Sequence, residues 1–115
     1  MDAISLDAVS LDALVDEQLA AARAAHSGRA AHTLHGGHDH FLRQTVIALA
    51  AGQELGEHNS PGEATLQVLR GRVRLSAGEL TCEGSAGDYL VIPPTRHALA
   101  ALADSAVLLT VLADR

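Results

Sequence analysis

From residue 42 onward the chain is a succession of short aliphatic runs, each closed by a turn signal. The runs are "QTVIAL", "ATLQVLR", "RVRLSA", "LTCEG", "DYLVIP", "HALAAL" and "AVLLTVL". Between them stand Pro61-Gly62, Gly71, Ala77-Gly78, the glycine-bearing stretch 84–87, Pro93-Pro94 and Asp104-Ser105. Runs of this length, recurring at roughly 8 to 12 residues, belong to an all-β sandwich or barrel. An earlier segment, "RAAHTLHGGHDHFLRQTVIALAAG", adds two strand candidates around Gly36-Gly37.

The first quarter follows a different period. Leu11, Leu14, Val15 and Leu19 fall on one helical face. Ser10 is a suitable N-cap, Asp12 favours the first turn, and Gly28 can stop the helix. The expected division is therefore a helical segment over 1–28 and a β-barrel domain over 29–115. The apolar stripe must be covered, either by the chain's own barrel or by a partner subunit.

With 115 residues the chain suits one domain. Folding at this length buries roughly 65% of the extended surface, enough for a single core. Hydrophobic residues are 48% of the chain but aromatic ones only 2%, so the core must be aliphatic. Phe41 and Tyr89 are the only rings of that kind, which leaves no stacking platform for single-stranded nucleic acid. A net charge of -6 gives no footprint for duplex DNA. All eight basic residues are arginines, so lysine chemistry is excluded. Arg70, Arg72 and Arg74, at spacing two, read as the solvated face of a strand. The lone Cys82 reads as a packing residue and fits a reducing compartment. No secretory pattern and no run of about 18 apolar residues occurs. The expectation is a cytoplasmic protein without membrane or nucleic-acid partners.

Two glycine–histidine frames carry a resemblance. Gly52, His58, Ser60, Ala64 and Gly71 stand in the register of a first motif, and Gly87, Pro93 and His97 in that of a second. Over about residues 42–112 the chain resembles the small single-domain cupins of bacteria, jelly-roll β-barrels. In that family the first motif supplies two histidines and a glutamate, and the second supplies a third histidine. Here Ser60 replaces a histidine and Ala64 replaces the glutamate, with Glu63 one residue earlier. Thr95 replaces a glycine, and the loop before His97 is one residue shorter.

The resemblance implies one divalent transition metal (Zn, Fe, Ni or Mn), with dioxygenase, isomerase or decarboxylase chemistry as the menu. His58 and His97 survive as ligands by position. Two ligands fall short of the three or four that such sites use. His38 and His40 lie at spacing two in a histidine-rich tract and are candidates to complete the set, as is Glu63 if a bulge at Pro61-Gly62 turns it inward. The resemblance also implies a homodimer.

Strand parity outlines a pocket. If position 64 faces inward, so do Leu66 and Val68, and Leu99 follows from His97. Gln44, alternating with Val46 and Ala48, then adds a polar group, although the opposite alternation is open. With Ser60 and Ala64 these residues would line a small-molecule site. Two functions follow. One is a metal-binding cupin with His58 and His97 on the ion. The other is a metal-free, non-enzymatic module that binds or senses a small molecule.

Overall fold

Ser10 caps the first element, its hydroxyl accepting from the backbone N–H of Ala13 at 3.2 Å. In the computed structural model, which describes residues 6–58 and 62–112 but not the side chains of Glu57 and His58, the helix α1 spans Leu11–Ala24. It ends before Gly28, at Ala25, whose extended backbone still donates to the carbonyls of Ala21 and Ala22.

Nine strands follow: β1 Arg29–His35, β2 Leu42–Leu49, β3 Glu54–His58, β4 Glu63–Arg70, β5 Arg72–Ala77, β6 Leu80–Ser85, β7 Tyr89–Val91, β8 His97–Ala101 and β9 Ser105–Leu112. They form two sheets, ordered β1-β2-β9-β4-β7 and β3-β8-β5-β6. All pairings are antiparallel. The result is a jelly-roll sandwich with one helix on its outside, as the spacing of runs and turns predicts.

There are two apolar clusters, one on each face of the larger sheet. Between the sheets lie Leu49, Leu66, Val68, Val73, Leu99 and Val107, each nearly inaccessible. On the outer face, Leu14, Val15, Leu19 and Ala22 of α1 pack against Val46, Ala48 and Ala106. Burial of each such leucine or valine side chain contributes about 1.5–3 kcal/mol. The helical stripe is thus covered by the chain's own barrel. Two ion pairs add to this, Asp16 with Arg70 and Arg23 with Asp104. Asp104 also accepts the backbone N–H of Ala51 at 2.8 Å. That hydrogen bond and the Arg23 guanidinium hold its carboxyl below the usual range.

Two expectations change. Gly71 turns the chain between β4 and β5, so the three arginines do not form one row. Arg70 meets Asp16, while Arg72 and Arg74 share Glu83 on β6. Cys82 lies exposed on β6, the edge strand of its sheet, and does not pack in the core. Among the described residues no helix is long and apolar enough to cross a membrane.

Candidate functional site

Alternation decides what faces the space between the sheets. On β4, Ala64, Leu66 and Val68 point inward while Glu63, Thr65 and Gln67 point out. On β8, His97, Leu99 and Ala101 are the inward set. β9 contributes Val107, Leu109 and Val111, and β2 contributes Ile47 and Leu49.

Toward one end of the sandwich these walls part to leave a cavity of about 300 Å³. Among the described residues its lining is nine aliphatic side chains and one histidine, His97. Ala64, Leu66 and Leu99 all belong to it, whereas Val68 lies deeper in the core.

His97 is 4% exposed. Its Nδ1 lies 2.9 Å from the carbonyl oxygen of Thr95. A carbonyl can only accept, so Nδ1 carries the proton and the ring is held in one orientation. The anchor comes from the shortened loop after Pro93-Pro94. Sequence reasoning met Thr95 only as a replacement for a motif glycine and gave it no role, because a backbone carbonyl leaves no mark on residue type. It also missed Ile47 and Leu55 in the cavity wall.

The remaining candidates fall elsewhere. The backbone of His58 stands opposite His97 in the β3–β8 ladder, past a register shift that follows Leu55. Ser60 lies outside the described residues. Glu63 is exposed and borders an outer groove of about 720 Å³, with Leu42, Thr65, Val91 and Leu112, which meets the cavity wall at Ala64 and Ile92. Gln44 shares its face with Val46 and Ala48, but that face lies under α1 and not inside the barrel. Its side-chain amide donates to Thr110 Oγ1 at 3.3 Å. Gln44 is therefore corrected to the outside, with Thr45 and Ile47 on the inner side. His38 and His40 sit in the turn between β1 and β2, both exposed. His40 packs edge-on against His35 and bonds through Nδ1 to the carbonyl of Gly36. Neither lines the cavity with His97.

The described donors do not fit a metal centre. No group of three His, Cys, Asp or Glu is brought together among the described residues. Among the described residues the cavity wall offers one imidazole, and Ala64 presents a methyl group at the register position of a glutamate. A nearly all-aliphatic wall suits an uncharged, mainly apolar molecule.

Comparison with known proteins fits this architecture. A family model described as a cupin domain matches residues 45–112. No curated protein is significantly similar to the sequence. Among solved structures, a conserved protein of unknown function from Streptococcus pyogenes is 30% identical, with a TM-score of 0.70 over 79% of each chain. A cupin superfamily protein from Desulfitobacterium hafniense is 18% identical, with a TM-score of 0.69 over 75% of this chain and 78% of that one. The salicylate 1,2-dioxygenase from Pseudaminobacter salicylatoxidans is 21% identical, with a TM-score of 0.72. That alignment covers 87% of this chain but only 33% of the dioxygenase. At such identities the last two speak for a shared fold alone.

Proposed function

Because the chain belongs to the cupin domain family, we propose that its barrel interior is the functional site, and that it binds a small, mainly apolar molecule as a binding or sensing module without a resident metal. The observation that carries this reading is the cavity wall, which among the described residues is nine aliphatic side chains and His97. An apolar molecule displaces water from such a wall at a gain of roughly 25 cal/mol per Å². His97, held by Thr95, would add a polar group of fixed orientation to that wall.

A second reading is a divalent ion held by His58 and His97. The opposition of their backbones in the β3–β8 ladder favours it. It requires at least one further donor, which bound ligand or solvent would have to provide. A thermal-shift comparison separates the two. Stabilisation by apolar organic molecules, with none from Zn, Fe, Ni or Mn ions, is the outcome expected here. Stabilisation by the ions alone would favour the second reading and overturn the first.

A further inference from the structure

The cavity wall continues beyond the cavity along one face of the larger sheet. In the β2–β9 ladder Arg43 stands opposite Val111, Thr45 opposite Leu109, and Ile47 opposite Val107. Residues opposed in an antiparallel ladder share a face. Arg43 and Thr45 are therefore on the face from which Leu109 and Val111 line the cavity. Across β1, Thr33 opposes Thr45 and Ala31 opposes Ile47, which extends this face to the sheet edge.

Two hollows follow that face outward. The first, about 320 Å³, shares Ile47 and Leu55 with the interior cavity and adds Ala31 and Thr45. The second, about 390 Å³, shares Thr45 with the first and adds Thr33, Gly36, His38 and Arg43. Along this path the lining changes from aliphatic to hydroxylic and cationic.

Arg43 differs from the arginines elsewhere on the surface. Arg23, Arg70, Arg72 and Arg74 each meet a carboxylate. Arg43 meets none among the described residues, and no carboxylate lines either hollow. Asp39, in the same turn, is exposed and outside the lining. The stem of Arg43 lies against Gly36, where an added Cβ would sit 3.4 Å from its Cγ. An uncompensated guanidinium beside two threonine hydroxyls is suited to a carboxylate. Solvated arginines are common on surfaces. Arg29 lines the nearer hollow and likewise meets no carboxylate among the described residues; Arg43 differs from it in sharing its hollow with two threonines, Thr33 and Thr45.

We propose that the cavity and the two hollows form one continuous groove for an amphipathic carboxylate, with its apolar body inside the barrel and its charged end at Arg43. This deepens the proposed function and rests on it. The net charge of -6 works against anions as a class, so a preference for one must come from local recognition.

The test compares 1-decanol with decanoate, by calorimetry and by the methyl spectra of labelled protein. Decanoate should bind about tenfold more tightly, the effect of one charge-assisted hydrogen bond. Arg43→Gln, an exposed substitution, should remove that preference and leave decanol affinity unchanged. Arg74, which pairs with Glu83 on the smaller sheet and lines neither hollow, is the control. Arg74→Gln should retain the preference. If decanol shifts the interior methyls but decanoate binds no better, the inference is overturned while the apolar site stands. The same holds if Arg43→Gln keeps the preference or Arg74→Gln removes it. If neither ligand perturbs the interior, both readings fall.

Discussion

The Nδ1 of His97 lies 2.9 Å from the carbonyl oxygen of Thr95, two residues earlier in the chain. This contact converts a loop into an orienting device, because it fixes the proton on one ring nitrogen and sets the plane of the ring. Long-range proton–nitrogen spectra should show hydrogen bonded to Nδ1 of His97. An Nδ1 without a proton would contradict the geometry.

Leu66 is 2% exposed and borders both core and cavity. Leu80, on edge strand β6, is 76% exposed. Leu66→Ala should cost about 2–4 kcal/mol, as deletion of buried methyl groups generally does. Leu80→Ala should stay within about 0.5 kcal/mol. Urea denaturation measures both, and similar costs for the two would refute the assignment of the core.

Gly52 and Gly71 both have positive φ, 85° and 83°. Their surroundings differ. A Cβ at Gly52 would meet nothing within 4 Å, whereas one at Gly71 would fall 2.3 Å from the Asp104 carbonyl oxygen and from Ser105 Oγ. Gly52→Ala should therefore cost about 1–2 kcal/mol, the strain of the left-handed backbone. Gly71→Ala should cost well beyond that, because buried Ser105 also bonds the N–H and carbonyl of Arg72 and cannot retreat. Chemical denaturation of the two variants gives the ordering, and equal losses would count against it.

Asp104 accepts the Ala51 N–H and pairs with Arg23, and these contacts lower its pKa from the ordinary 3.8. A group with a depressed native pKa stabilises the fold above its unfolded value, and that contribution disappears as pH falls through the native value. Asp104→Asn should therefore lower stability at neutral pH and flatten the loss of stability below about pH 4. Wild type and variant following parallel curves in that acid range would sink this account.

Much of this structure was legible in residue order. The stripe of Leu11, Leu14, Val15 and Leu19 announced α1, and its partners proved to be Val46, Ala48 and Ala106. The inward set Ala64, Leu66 and Leu99 also followed from parity. Gln44 did not, for a physical reason. β2 is covered on one face by α1 and on the other by the barrel, so both alternations are apolar and the pattern has no sign. His38 and His40 share a spacing that places residues on one face of a strand. They occupy a turn, and β2 begins only at Leu42. The arginine row failed because parity stops at a chain reversal, here Gly71. The proposed groove at Arg43 rests on which residues remain unpaired in three dimensions, and sequence spacing does not contain that information.

The central claim is that the barrel interior holds an apolar ligand. Titration of methyl-labelled protein with 1-decanol tests it most directly. The methyl groups of Leu66, Leu99, Leu109 and Val111, which line the cavity together, should shift and saturate in concert. Shifts confined to Leu42, Val91 and Leu112 of the outer groove, or none at all, would contradict it.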